Sequence, residues 1–379
     1  MPGLLPDIDP DGLLEFSVVF TDRSLNHMSG RFQQVMNDIS STLKGVYNAA
    51  AVVVVPGGGT FGMEAVARQF ASNENCLVIR NGWFSYRWTQ IFEMGGIPAD
   101  HVVMKASRTA DDPHAPFAPA PIDDVVAAIG EHKPAAVFAP HVETSAGIML
   151  PDDYIAAAAE ATHANDGLFV LDCIASGAMW VDMEALGVDV LISAPQKGWS
   201  ASPCSALVML SERAVERLNN TTSTSFAADL GKWHQIMQAY ENGGHAYHAT
   251  MPTDSLTKFR DTMLESAQIG FDTLKARQQS LGDSVRQALG ERGIKSVAAP
   301  GFEAPGVVVS YTDSGNIQNG SAFVPTGLQI AAGVPLQCDE GDNFQTFRLG
   351  LFGLEKLNNV ERTVNTLTDA LDQILQEPK

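Results

Sequence analysis

The sequence predicts an α/β fold, in which a large domain with a mainly parallel sheet flanked by helices precedes a smaller C-terminal α/β domain. Three observations carry this expectation. Short β-branched runs alternate with amphipathic helical stretches over the first two-thirds of the chain, the pattern of parallel strands joined by helices. One strand-to-helix junction, PGGGTFG, is glycine-rich and suits a helix start that meets an anion. A polar, glycine-containing stretch from Asn219 to Gly244 then interrupts the alternation, as a domain connection does.

Taken in order, Phe32 to Tyr47 sets Phe32, Val35, Met36, Ile39, Leu43 and Val46 on one 3.6-period face, a core-facing helix. Strands are expected at Ala51 to Val55, Cys76 to Arg80, Ala135 to Ala139, Leu168 to Asp172, Val188 to Ser193 and Ala206 to Leu210. A helix from Glu64 to Ala71 follows the glycine run. After the polar stretch come a long helix from Asp254 to about Leu281, strands at Gly306 to Tyr311, Leu328 to Ala332 and Thr346 to Leu351, and a closing helix from Val360 to Leu375. This divides the chain into an N-terminal segment 1–30, a large domain 31–253 and a small domain 254–379.

Composition excludes several functions. With 45% hydrophobic residues and only 4 cysteines in 379, the chain is neither disordered nor a disulfide scaffold. A formal charge of -20 repels a phosphate backbone, so nucleic-acid binding is not expected. The longest aliphatic run, Ala49 to Val55, falls far short of the roughly 20 residues that span a bilayer, so no membrane insertion is expected. Asp7, Asp9, Asp11 and Glu15 stand where an export signal needs a basic and then an apolar region. Cys76, Cys173, Cys204 and Cys338 show no CxxC spacing, so no zinc or other metal site is signalled and a reducing cytoplasm fits.

The glycine turn has two chemical readings. Gly57, Gly59 and Gly62 satisfy GxGxxG, the dinucleotide fingerprint. That fingerprint needs an acid at the end of the next strand, which instead ends in Arg80 and Asn81. NAD is disfavoured, NADP stays open through Arg80, and a purely structural turn stays open too. The second reading comes from two residues further on. Asp172 closes the buried run LFVLD, and Lys197 follows the next strand in VLISAPQKGWS. In a doubly wound sheet both face the crevice that the glycine turn faces. Pyridoxal phosphate (PLP) needs that set: an anion cradle, a carboxylate for the pyridine nitrogen, and a lysine for the Schiff base.

The motifs then become specific. PGGGTFGMEA resembles the SGSGxxxxEA phosphate turn of class V, fold-type I PLP-dependent aminotransferases of the alanine/serine-glyoxylate group. The resemblance runs from about Gly30 to the C-terminus and implies that Gly58, Gly59 and Thr60 take the cofactor phosphate. NGWF is similar to the family's NGxW and puts Phe84 against the pyridine ring; HVETSAG is similar to HGETSTG and puts Thr144 beside the phenolic oxygen, with Val142 in place of a glycine. Asp172 then takes the ring nitrogen, Gln196 and Lys197 form the SxQK segment, and Tyr247 and Thr250 of YHATMP reach the phosphate of the other subunit in a homodimer. FRLGLFG is similar to WRIGLLG, so Arg348 holds the substrate carboxylate.

What the resemblance implies is transamination between a small donor, alanine or serine, and a 2-oxo acid such as glyoxylate or pyruvate, with Lys197 as Schiff-base residue and general base. The N-terminal segment departs from the family: SVVFTDRSLNHMSG replaces a Gly-Pro-rich entry, so Arg23, Asn26 or His27 is a candidate contact in site closure. Two alternatives remain at this point: a class V lyase of the cysteine desulfurase type, for which Cys338 is the candidate nucleophile, and an NADP-dependent oxidoreductase.

Overall fold

The computed structural model describes residues 8–376; residues 1–7 of the N-terminal segment, including Asp7, and residues 377–379 lie outside it. The central sheet has seven strands: β1 (Ala51–Pro56), β2 (Asn75–Arg80), β3 (Asp100–Lys105), β4 (Ala136–Pro140), β5 (Leu168–Asp172), β6 (Val190–Ser193) and β7 (Ser205–Leu210). Their spatial order is β1-β7-β6-β5-β4-β2-β3. Neighbours pair in parallel except for β7, which runs antiparallel to both β1 and β6. Most of these strands are buried along their length, which is why they read as continuous apolar runs rather than alternating ones.

Edge strand β3 escaped the sequence reading. DHVVMK is only half-buried, so its apolar content is low and its ends are charged. The helices α1 (Gly30–Tyr47), α2 (Gly59–Phe70) and α3 (Trp83–Gly95) flank the sheet. Helix α2 starts a turn earlier than expected, inside the glycine run, and Ser29 caps α1 by accepting from the Phe32 amide at 3.1 Å.

The stretch after Asn219 is not merely a polar connection. It contains α4 (Leu230–Glu241), which buries Leu230, Trp233, Ile236, Met237 and Tyr240 against the main core. The expected single helix from Asp254 to about Leu281 is two, α5 (Thr253–Ile269) and α6 (Phe271–Glu291), broken at Gly270 with φ +96°. Leu256, Phe259 and Met263 of α5 join the main core, whereas Leu274, Leu281, Val285 and Leu289 of α6 join a second cluster. That cluster lies under a small antiparallel sheet in the order β8 (Val307–Tyr311), β10 (Thr346–Gly350), β9 (Ala331–Ala332), with α7 (Val360–Gln376) closing the chain. Strand β9 is shorter than the expected Leu328 to Ala332, because Ser321–Thr326 form a 3-10 turn that ends on Gly327.

Candidate active site

Because β1, β4, β5 and β6 run in parallel, their carboxyl ends share one edge of the sheet, and the segments that leave them line a cavity of about 210 Å³. Gly59 and Thr60 enter it from the start of α2, Val142 and Thr144 from beyond β4, and Asp172 and Ile174 from the end of β5. Gln196 and Lys197 come from beyond β6, and Phe84 from the first turn of α3. The glycines are steric requirements here. A Cβ on Gly59 would stand 2.5 Å from the Ile174 side chain, and one on Gly62 would stand 2.5 Å from Ala206, lifting α2 off the sheet. The GxGxxG pattern therefore reflects close helix-to-sheet packing and a helix start aimed at the cavity.

The dinucleotide reading loses its second half. Strand β2 is separated from β1 by four strands, so Arg80 does not neighbour the glycine turn as a ribose-binding residue would. Arg80 is buried, donates to Thr89 Oγ1 at 2.7 Å and to the Gln337 carbonyl at 3.3 Å, and lies against the Tyr86 ring.

Burial sets the protonation of the two central groups. Asp172 is 8% exposed and its carboxyl is pushed up to about 7, chiefly by desolvation and secondarily by the charge of Glu143. Its Oδ1 accepts from the Ile174 amide at 2.9 Å, and no ion pair to Asp172 forms among the described residues. Burial also lowers the Lys197 ammonium from its ordinary value; Arg348 and Arg87 lower it further, while Asp172 opposes them. The Lys197 Nζ lies 5.3 Å from the centroid of Phe352.

Two residues that sequence reasoning passed over shape the site. Glu143, fully buried, accepts from the amides of Phe84 at 3.2 Å and Ser85 at 2.9 Å and from Ser145 Oγ at 2.7 Å. A carboxylate on the first amides of α3 matches the helix dipole and fixes the Phe84 backbone at the cavity wall. Arg87, one turn further along α3, lines the cavity and donates from Nη1 to Thr60 Oγ1 at 2.9 Å. The signal for both was present: Glu143 stands inside a quoted motif, and Arg87 lies three residues past another, on the same helical face as Phe84.

Arg348, on β10, donates from Nε to the Ala332 carbonyl at 2.7 Å, and its guanidinium carbon stands 5.6 Å from the Phe84 ring centroid. Desolvation pulls its affinity for the proton down, and Glu143 partly offsets this. Gly58 caps α2 without a place in the cavity lining. Tyr247 and Thr250 are not brought to this cavity: both are exposed and bond to each other at 3.2 Å. None of Arg23, Asn26 or His27 lines it either. His27 is buried beside Phe20, His245 and Tyr247, with ring centroids 5.5, 5.9 and 5.6 Å away, and Asn26 donates to Glu15 at 2.7 Å.

Cys338 is no candidate for a mobile nucleophile. It is 4% exposed, points its Sγ at the carbonyls of Arg80 and Leu336, and burial pushes its thiol up to about 12. Among the described residues there is no cluster of three metal-ligating side chains and no helix long and apolar enough to cross a membrane.

Known proteins match along nearly all of the chain. A relative named soluble hydrogenase, small subunit, from Synechococcus sp. is 26% identical over 93% of this chain and 87% of its own length. An alanine-glyoxylate aminotransferase of Rattus norvegicus is 24% identical over 92% of this chain and 82% of its own. The crystal structure of an alanine-glyoxylate aminotransferase from Nostoc sp. superposes with a TM-score of 0.77 at 22% identity, covering 92% of this chain and 89% of that one, and so shares the fold. The class-V aminotransferase model matches residues 15–319, which take in every cavity-lining residue described above, and the chain therefore belongs to the class-V aminotransferase family.

Proposed function

We propose that the protein catalyses PLP-dependent transamination between a small amino acid, of alanine or serine type, and a 2-oxo acid such as glyoxylate or pyruvate. The observation that carries this reading is the joint placement of Asp172 and Lys197 on one cavity that also receives the start of α2. The donor set suits the cofactor. A buried carboxylate pushed up to about 7 by desolvation fits a protonated pyridine nitrogen, and a helix start with a threonine hydroxyl fits a phosphate. When bound, PLP supplies an electron sink for the charge left at the substrate Cα.

The chain's own residues do the rest. Lys197 Nζ is the one amine among the lining side chains, and its lowered proton affinity lets it take the Cα proton and return it near neutral pH. Asp172 would hold the ring nitrogen, a carboxylate against a cationic pyridinium. Phe84, its backbone clamped by Glu143, would lie against the ring, and Thr144 and Gln196 line the same cavity with polar groups that would meet the ring's substituents. Arg348 offers its free Nη groups to the substrate carboxylate while the Ala332 carbonyl holds Nε in place.

With one carboxylate-binding arginine assigned to substrate, donors carrying a single carboxylate are favoured. A panel of donors against glyoxylate, pyruvate and 2-oxoglutarate should rank alanine or serine above glutamate; glutamate as the best donor contradicts the assignment. Arg348→Lys loses the bidentate geometry and should lower kcat/KM for every donor by about tenfold to a hundredfold, since hydrogen bonds to charged groups are worth about 1.5 to 3 kcal/mol.

Tyr247 and Thr250, exposed in the single chain, fit a homodimer in which each copy completes the other's phosphate site, with His27 packed behind Tyr247. Sedimentation should find a dimer, and Tyr247→Ala should weaken PLP retention; a fully active monomer defeats this assignment. We take the change of core at Gly270 as the seam between the large and small domains, a little beyond residue 254, with segment 1–30 serving closure at the subunit boundary. Four free, buried cysteines suit a cytoplasmic enzyme.

A further inference from the structure

We propose that Arg87 is a direct ligand of the cofactor phosphate, completing with Thr60 and the start of α2 an anion site that the family motifs describe only in part. This deepens the PLP reading and rests on it. A phosphate dianion in a partly enclosed cavity needs more positive charge than a helix N-terminus offers, about half an elementary charge. The other cations, Lys197 on the cavity and Arg348 against Phe84, have other work. Lys197 is reserved for the cofactor aldehyde, and Arg348, outside the cavity lining, donates to the Ala332 carbonyl. Arg87 lines the cavity and has no carboxylate in salt-bridge contact among the described residues.

The hydrogen-bond directions agree. Thr60 Oγ1 accepts from Arg87 Nη1 at 2.9 Å, so the threonine's own hydroxyl proton remains available to an acceptor in the cavity. Of the five N-H donors of the guanidinium, that bond uses one, leaving a planar fork for phosphate oxygens. The Phe84 ring, with Arg87 Cζ 5.1 Å and Arg348 Cζ 5.6 Å from its centroid, is within cation–π range of both guanidinium groups.

The test compares PLP with pyridoxal, which has the ring and aldehyde but no phosphate. Dissociation constants for both are measured on cofactor-free wild type, Arg87→Met and Arg87→Lys by quenching of tryptophan fluorescence, with inorganic phosphate as competitor. The expected result is PLP affinity lowered about tenfold to a hundredfold in R87M, pyridoxal affinity unchanged, and R87K between the two. Inorganic phosphate should compete with PLP on wild type and less well on R87M. An unchanged PLP-to-pyridoxal ratio in R87M overturns the proposal, as does equal weakening of both ligands, which marks a structural role. Wild type that binds neither ligand defeats the cofactor reading itself, a result distinguishable from failure at Arg87 alone. Should R87M fold poorly, R87K and the phosphate competition on wild type decide the matter.

Discussion

Lys197→Ala should abolish transamination, by at least about 10⁴-fold, because the variant loses both the covalent anchor and the general base at one stroke. No other lysine borders the cavity among the described residues, so nothing stands ready to replace it. The fold should survive. Lys197 sits beyond the end of β6, it makes no salt bridge within ion-pair distance, and its removal relieves the desolvation that already lowers its proton affinity. The loss is therefore chemical, and single-turnover kinetics on a variant with native melting behaviour checks it. A variant that turns over at a rate comparable to wild type contradicts the assignment.

Asp172→Asn should cut turnover by about 10²- to 10³-fold, the usual cost of removing one preorganised electrostatic partner, while part of the cofactor binding persists through the phosphate site. The same variant makes a second, opposite prediction for the cofactor-free protein. The folded carboxyl titrates at about 7, above its ordinary 3.8, so between those values the folded state holds a proton that the unfolded chain has released. Stability contributed by that proton is full below about 4 and is lost as pH rises through 7, by roughly 1.4 kcal/mol per pH unit at the steepest. D172N removes this penalty. Cofactor-free D172N should melt higher than wild type at pH 8 and match it near pH 4, and PLP should raise the melting temperature of wild type more than that of D172N. Parallel melting curves for the two proteins across this range mean that Asp172 is not the buried acid described.

Much of this was legible in the chain. Strand β5 is legible to the residue because LFVL is an unbroken apolar run that ends in an acid, and the structure buries all of it. The site followed from it, since a parallel sheet sends every strand end to one edge. Three features resisted for physical reasons. Strand β3 lies at the sheet edge and needs few apolar residues. Gly270 interrupts one long helical stretch, so α5 and α6 read as one helix although they pack into separate cores. Arg87 reads as an ordinary surface cation on α3, and only the approach of α2 brings Thr60 within hydrogen-bond distance of it. Tyr247 and Thr250 show the converse: their motif is recognisable, yet in the single chain both are exposed, bond to each other and stay out of the cavity.

In the proposed reaction Lys197 holds and activates PLP. Borohydride treatment of the PLP-loaded protein, followed by proteolysis and mass spectrometry, tests it directly because reduction fixes the cofactor permanently on the amine that carried it. One modified peptide is expected, the one containing Gln196, Lys197 and Gly198, and none in Lys197→Ala. A modified peptide containing any other lysine, or no modification at all in a wild-type protein saturated with PLP, would contradict it.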